Sequence, residues 1–215
     1  MKLTLREWQK LFKTPRDLIV QASVKDGTDS WQPFPIGMCY GYMSLDHSAR
    51  SLQLGSHTET VFCAINSQTD THRRGALPVN RAKIVQTLDA NSIKNSQRMV
   101  HIYFQVLPHH KFVISPEGNG IDCHRHYEAL LAGCIPIMEH NPLIEEKYKG
   151  LPILYTTDYS EITEEYLNKR YDEMIDTTYD FSRLFIANYT DEQQSQIRDC
   201  GNYWTERLGG RKFYV

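Results

Sequence analysis

Short apolar runs rich in β-branched and aromatic residues alternate with stretches of helical periodicity through the middle of the chain. The apolar runs predict strands at 60–66, 111–116, 134–140 and 152–157. The periodic stretches predict helices at 80–90, 96–110 and 123–133. Strands separated by such helices form βαβ units, so the pattern predicts an α/β fold with a doubly wound, Rossmann-like sheet of mainly parallel strands.

The two ends of the chain carry other patterns. Apolar residues at helical spacing predict a short amphipathic helix within 1–16, and DLIVQASV at 17–24 predicts a strand. Residues 25–57 are rich in Gly, Pro, Ser and aromatics, which favours loops over regular helix. Beyond residue 160 the polar and apolar spacing predicts helix throughout.

These patterns predict three parts. A small irregular N-terminal segment covers 1–57, a Rossmann-like domain covers 58–190, and a C-terminal helix at 191–215 packs across both.

Composition limits the range of partners. The chain has 24 basic and 26 acidic residues in 215, a net charge of −2, so no broad positive field would attract nucleic acid or anionic lipid. No apolar run is long enough to span a membrane and the N-terminus lacks the apolar core of a signal peptide, so we expect a cytoplasmic protein. The five cysteines are widely scattered, which favours reduced thiols.

The stretch PEGNGIDCHRHYEALLAGCIPI, at 116–137, follows a predicted strand directly. Ligands in doubly wound sheets bind beyond the carboxyl ends of the strands, where the strand order reverses. Gly118 and Gly120 allow positive φ and close approach of backbone amides to an anion, and the helix that follows presents its positive end. The stretch therefore predicts a diphosphate site.

Helical spacing sorts the charged side chains of this stretch. His124 and Glu128 lie at i and i+4 and share a helix face, with Arg125 beside them. Arg125 near the first turn is unfavourable for the helix dipole unless it binds an anion, and Glu128 suits a ribose diol. The alternative is a plain turn followed by an Arg125–Glu128 ion pair on the surface.

A second polar loop follows the predicted strand at 60–66. It contains Arg73 and Arg74, and Arg81 follows at the start of the next helix. Guanidinium groups bind phosphates in a bidentate manner, so these residues are candidate phosphate ligands. The alternative is a solvated basic loop.

These residues together resemble a known family. The order of strand, P-E-G-N-G-I-D-C-H-R turn, E-A-L and G-C-I-P-I is similar to the nucleotide-sugar half of the exostosin-like glycosyltransferases, and a looser similarity extends from about Val61 to Met174. Small proteins of this kind occur in large DNA viruses and in bacteria. The resemblance implies a GT-B-type domain that transfers a sugar from a nucleotide-sugar donor, such as a UDP- or GDP-sugar, to a glycan or glycosylated acceptor.

The resemblance also implies residue roles. Gly118, Asn119 and Gly120 would line the diphosphate, Arg125 would neutralise it and Glu128 would hold the ribose. The full set of candidate donor-binding residues is Arg73, Arg74, Arg81, Glu117, Gly118, Asn119, Gly120, His124, Arg125 and Glu128. No tightly bound cofactor and no metal are expected, since the chain has no Asp-x-Asp motif and the histidine pairs lack a third ligand.

The chain departs from the family in two ways. Gly120 stands where many retaining enzymes have a second glutamate, which leaves the stereochemistry open. Only 57 residues precede the domain, so either that segment serves the acceptor or the chain is one part of a larger enzyme with other domains or subunits.

The catalytic base should come from the N-terminal segment or the loop that faces it. The candidates are Asp26, Asp29, Asp46, His47, Asp70 and His72. The aromatics of WQPFPIGMCYGYM suit stacking on sugar rings, or else cover the core. The rival function is a catalytically silent nucleotide-sugar-binding module that works with a partner subunit.

Overall fold

The computed structural model describes residues 1–11, 17–26, 31–43 and 54–214. The strands are β1 (Lys2–Thr4), β2 (Glu59–Phe62), β3 (His110–Ile114), β4 (Ile135–Glu139), β5 (Leu154–Thr156) and β6 (Thr178–Asp180). The α-helices are α1 (Leu5–Lys10), α2 (Tyr40–Met43), α3 (Thr71–Arg74), α4 (Arg81–Ala90), α5 (Val100–Val106), α6 (His124–Leu131), α7 (Pro142–Lys147), α8 (Glu164–Met174) and α9 (Asp191–Arg207). Single 3₁₀ turns lie at Leu107–His109, Tyr159–Glu161, Phe181–Leu184 and Ile186–Asn188.

The central sheet confirms the predicted α/β class. β2, β3, β4 and β5 are parallel and lie side by side in that order. β4 and the end of β3 are buried, in keeping with their continuous apolar sequence. The predicted double winding is not observed, because the strands follow chain order and no reversal occurs within the sheet of the described residues.

A two-stranded ribbon joins the beginning of the chain to its last third. β1 pairs antiparallel with β6, in a register that sets Leu3 opposite Tyr179. Behind it, the Trp8 indole stacks on Phe181 at 4.2 Å between ring centroids and donates a hydrogen bond of 2.7 Å to the carbonyl of Leu130. One hydrophobic core therefore includes residues from Leu5 to Ile197. The division at residues 57 and 190 stays a prediction.

Three predicted elements differ in the structure. Residues 17–24 form only isolated bridges at Leu18 and Val20, because Gln21 takes a positive φ of 47° that interrupts a strand. The predicted first helix is limited to α1 among the described residues, since Leu3 pairs in β1. The predicted helix beginning at 178 starts instead with β6 and two 3₁₀ turns, because pairing with β1 prevails over local helix propensity.

Helix α6 positions the stretch at 116–137 in the fold. Tyr127, Leu130 and Leu131 are fully buried and fix the helix against the sheet. The helix ends in a Schellman turn, in which the amide of Cys134 donates to the carbonyl of Ala129 at 2.9 Å and Gly133 has φ of +80°. β4 begins directly after this turn, so the first turn of α6 lies at the carboxyl end of β3.

Candidate functional site

A cleft of about 980 Å³ opens at the carboxyl end of β2 and β3. Its floor is the 118–128 stretch, one wall is formed by residues from 22–24 and 31–39, and the other by residues from 64–73 and 97–104. The volume suits a ligand of nucleotide size. The described strands show no reversal of order, and residues from the N-terminal stretches supply the second side of the cleft.

The wall formed by residues from 22–24 and 31–39 is held against α6 by side chains of the stretch at 116–137. The Asp122 carboxylate accepts a hydrogen bond of 3.0 Å from the amide of Ile36, and His124 Nδ1 lies 2.7 Å from the carbonyl of Gly37. The other ring nitrogen of His124, Nε2, lies 3.2 Å from the side-chain nitrogen Nε2 of Gln21. His124 lines the cleft, yet both of its nitrogens are used to position the wall. A role for it in donor binding is therefore not supported.

Asp122 is also neutralised from the other side. Lys147 donates to its carboxylate at 2.9 Å and Tyr148 at 2.8 Å, and all three groups are largely buried. This carboxylate is therefore a structural anchor for the floor and the wall. The sequence offered no sign of the contact, because Lys147 is 25 residues away on another helix.

Gly118 has a steric reason to lack a side chain. A Cβ at this position would lie 2.9 Å from Arg81 Nη2 and 3.2 Å from Cys123 Sγ. The positive φ that glycine allows is used by neither Gly118 nor Gly120. The amide of Gly118 donates to the carbonyl of Gly120 at 2.9 Å, so it is not available to a diphosphate.

Arg81 lies beneath this turn and is almost fully buried. Its guanidinium donates to the carbonyl oxygens of Pro116 at 3.0 Å and Glu117 at 2.7 Å. It forms no ion pair with a carboxylate of the described residues. Burial lowers the pKa of Arg81, and the nearby positive charge of Arg125 lowers it further. Arg81 thus brings a positive charge to the cleft floor while it holds the turn.

The two arginines of the α3 loop have different surroundings. Arg73 lines the cleft and holds the turn, donating to the Gly118 carbonyl at 3.1 Å and to the Glu117 carboxylate at 2.7 Å. Arg74 is buried away from this cleft and pairs with Asp70 at 2.9 Å and Glu139 at 2.8 Å. The predictions of Arg74 and Glu117 as donor ligands are therefore corrected, because their groups are used in this internal network.

Arg125 faces the cleft with donors to spare. One Nη2 hydrogen bond of 2.7 Å goes to the carbonyl of Ala64, and the guanidinium lies 5.8 Å from the centre of the Tyr103 ring. Its Nε is buried and has no hydrogen-bond partner among the described residues. The alternative of a surface ion pair between Arg125 and Glu128 is not realised, since no carboxylate of the described residues lies within 4 Å of the guanidinium nitrogens.

Glu128 lies one turn further along α6 and is 4% exposed. Its Oε1 accepts one long hydrogen bond of 3.3 Å from the amide of Cys39. Burial raises the pKa of Tyr103, and the negative charge of Glu128 raises it further, so the two side chains are close. The Tyr103 hydroxyl nevertheless has no hydrogen bond of normal geometry with any described residue.

The charges of the cleft do not balance. Among the described residues that line it, Arg73 is paired with Glu117 and Lys147 with Asp122. The lining groups left without an ion pair are Arg81, Arg98, Arg125 and Glu128. The cleft therefore has a local positive surplus inside a protein of net charge −2, which favours an anionic ligand.

Buried polar atoms without a partner are concentrated here. Among the described residues five such side-chain atoms occur, and three of them, on Gln32, Tyr103 and Arg125, belong to residues that line this cleft. Since buried polar groups in folded proteins are nearly always paired, such atoms indicate a place where a ligand or water completes the hydrogen bonds.

The candidate catalytic bases among the described residues do not lie free in the cleft. Asp70 is 1% exposed and its Oδ2 accepts from Arg74 and from the amide of Arg81, both at 2.9 Å, so it is corrected to a structural role. His72 is exposed outside the cleft, and Asp26 also does not line it. Asp29, Asp46 and His47 lie outside the described residues.

Several lining side chains were not predicted as site residues. Tyr103 lies on α5, whose apolar periodicity indicates a core position, and Trp204 lies on α9, far along the chain. The Trp204 indole donates to the Ser23 carbonyl at 2.9 Å, which fixes its ring at the cleft edge. Trp31 is 45% exposed and belongs to the aromatic stretch that the sequence singled out for sugar stacking.

Comparison of the chain with models of known families and with curated proteins found no match. Within the described ranges, no three His, Cys, Asp or Glu side chains group as they would around a metal ion. None of the helices in those ranges has the length and apolar character needed to cross a bilayer.

Proposed function

We propose that this chain is a glycosyltransferase that transfers a sugar from a nucleotide-sugar donor to a glycan or glycosylated acceptor. The observation that carries the proposal is the meeting of the Arg125 guanidinium, the Glu128 carboxylate and the Gly118–Gly120 turn in one cleft at the carboxyl end of β3. Further support comes from the motif's resemblance to the exostosin-like, GT-B-type transferases.

The proposed donor pose follows from charge and hydrogen-bonding capacity. The diphosphate lies against Arg125 and the first turn of α6, where unpaired backbone amides and the helix dipole favour an anion. Arg81 adds positive charge from below. The ribose lies one turn further in, where Glu128 can accept from its hydroxyl groups.

This arrangement would stabilise the nucleoside diphosphate as the leaving group. Negative charge grows on the leaving phosphate as the bond to the sugar breaks, and fixed donors aimed at that charge lower the barrier. Arg125, with a buried and unpartnered Nε, is such a donor. The proposed reaction is metal-independent, with the guanidinium groups of Arg81 and Arg125 in place of a metal cation.

A second candidate is a nucleotide-sugar-binding module that lacks catalysis of its own. One observation favours it. Three described carboxylates and imidazoles line the cleft. Asp122 is paired with Lys147, His124 uses both nitrogens on the wall and Glu128 is assigned to the ribose in the proposed pose, so none is left to accept a proton from an acceptor hydroxyl. In this case the base comes from a partner subunit.

Two measurements distinguish the candidates. Thermal shift and calorimetry with UDP- and GDP-sugars test binding, and release of free UDP or GDP with and without glycan acceptors tests turnover. Binding with turnover supports the transferase, and binding without turnover supports the module. If neither nucleoside diphosphate stabilises the protein, the proposed site is wrong in both forms.

A further inference from the structure

The wall that includes residues from 31–39 runs alongside α6, and its contacts give the cleft two distinct ends. The amide of Ile36 donates to the Asp122 carboxylate just before α6, and the amide of Cys39 donates to Glu128 one turn into the helix. The ribose of the proposed donor lies at Glu128. The sugar on the other side of the diphosphate therefore points towards the end near Asp122.

Two neighbouring side chains with unused binding capacity lie at this second end. The wall runs from Trp31 through Ile36 to Cys39, so Trp31 and Gln32 lie on the side away from Glu128. Gln32 lines the cleft and is 9% exposed, and its side-chain Nε2 is buried without a hydrogen-bond partner among the described residues. A buried amide of this kind indicates a ligand group that accepts a hydrogen bond, such as a hydroxyl.

Aromatic surface accompanies this amide. The Trp31 side chain lines the cleft and is 45% exposed. The Trp204 ring lies at the same end, because its indole donates to the carbonyl of Ser23 at 2.9 Å and the amide of the preceding Ala22 donates to the carbonyl of Ile36 at 2.8 Å. Indole rings provide large, rigid apolar contact area. Such rings beside a hydrogen-bonding amide suit a sugar, which has apolar ring faces and polar hydroxyl groups.

The charges of the cleft limit which sugar fits here. The three arginines and one glutamate of the described lining residues that have no ion pair leave a surplus of two positive charges. The diphosphate of a nucleotide-sugar carries one negative charge on each phosphate, so it balances this surplus by itself. Since Lys147 is already paired with Asp122, no cation of the described lining residues remains for a carboxylate on the sugar.

We propose that Trp31, Gln32 and Trp204 bind the sugar of the donor, and that this sugar is a neutral hexose and not a uronic acid. The inference rests on the proposed function, because it assumes a nucleoside diphosphate held by Arg125 and Glu128. Gln32 donates to a hydroxyl of the hexose, and the two indoles supply apolar contact to its ring. A carboxylate at C6 of the sugar would lose water without gaining a counter-ion, which weakens binding.

The test uses pairs of donors that differ only at C6 of the sugar. Calorimetry at pH 7 compares UDP-glucose with UDP-glucuronic acid, UDP-galactose with UDP-galacturonic acid, and GDP-mannose with GDP-mannuronic acid. UDP and GDP serve as references for the nucleotide part of the site. In the pair that binds most tightly, the neutral member should bind at least about tenfold more tightly than the acidic one.

Three variants locate the sugar within the cleft. Gln32→Leu removes the buried amide at similar volume, and Trp31→Ala removes the exposed indole. Each should weaken the neutral donor roughly three- to tenfold and leave the affinity for UDP or GDP unchanged, which also shows that the variant is folded. Met99→Ala is the control, because Met99 is also large, apolar and 64% exposed but does not line the cleft. It should bind every ligand as the wild type does.

Three results overturn the inference while the proposed function stands. The first is an acidic donor that binds as tightly as its neutral partner. The second is a neutral donor whose affinity is unchanged in Gln32→Leu or in Trp31→Ala, and the third is an equal loss of affinity in Met99→Ala. A wild type that binds neither UDP nor GDP, with or without a sugar, overturns both the inference and the proposed function.

Discussion

Arg125 and Arg74 are both candidate phosphate ligands by sequence, and the structure predicts opposite results when each is replaced by methionine. Arg125→Met removes one hydrogen bond to the Ala64 carbonyl, but it also removes a buried Nε without a partner and a charge without a carboxylate. These effects oppose each other, so we expect the free energy of unfolding to change by less than about 1 kcal/mol.

Arg74→Met should be far more costly. Arg74 is 6% exposed and pairs with Asp70 at 2.9 Å and Glu139 at 2.8 Å, both of them largely buried. Its removal leaves two carboxylates without their cation. Breaking a buried ion pair by removing one partner costs about 3–5 kcal/mol, so we expect a loss of that size in urea unfolding at pH 7.

Ligand binding should show the reverse order. Charge-assisted hydrogen bonds contribute about 1.5–3 kcal/mol, so Arg125→Met should weaken UDP binding roughly ten- to a hundredfold. Arg74→Met should leave the affinity of its folded fraction near that of the wild type. The reasoning is refuted if Arg125→Met binds UDP as tightly as the wild type, or if it unfolds as readily as Arg74→Met.

Two further predictions concern pH and the floor of the cleft. Burial lowers the pKa of His126 to about 4 from 6.5, so below pH 6.5 the unfolded state binds a proton that the folded state does not. The free energy of unfolding should therefore fall by roughly 3 kcal/mol in all as pH falls from about 6.5 to 4. His126→Gln should reduce the difference in unfolding free energy between pH 5 and pH 7 in urea, and a difference equal to that of the wild type would contradict this. Gly118→Ala places a Cβ 2.9 Å from Arg81 Nη2, so we expect the free energy of unfolding to fall by about 1–3 kcal/mol and UDP to bind more weakly. Wild-type stability and affinity in this variant would show that the turn tolerates a side chain.

The sequence predicted the parallel sheet well because its signals are local. The end of β3 and most of β4 are continuously apolar, and α6 begins after a turn and is followed by Gly133, where only a residue tolerant of positive φ fits easily. The placement of Arg125 and Glu128 in a cleft also followed from this local order, since a helix that starts at the carboxyl end of a strand carries its first turns to the sheet edge.

The predictions that differ from the structure concern features set by contacts between distant parts of the chain. The 178–190 stretch was predicted as helix, but β1 pairs with β6 across more than 170 residues. His124 is a candidate ligand by residue type, yet the carbonyl of Gly37 and the side-chain amide of Gln21 occupy its two ring nitrogens.

Local patterns were enough to predict the α/β class, the strand–turn–helix unit at 111–131 and the charged residues that this unit carries to the sheet edge. Hydrophobic period, turn residues and helical spacing act over a few residues, so they can be recognised without the folded structure. Only the tertiary structure decided which arginine is free, which carboxylate is neutralised and that Tyr103 lines the cleft. Hydrogen-bond satisfaction is set by groups brought together from distant parts of the chain, and no local pattern encodes it.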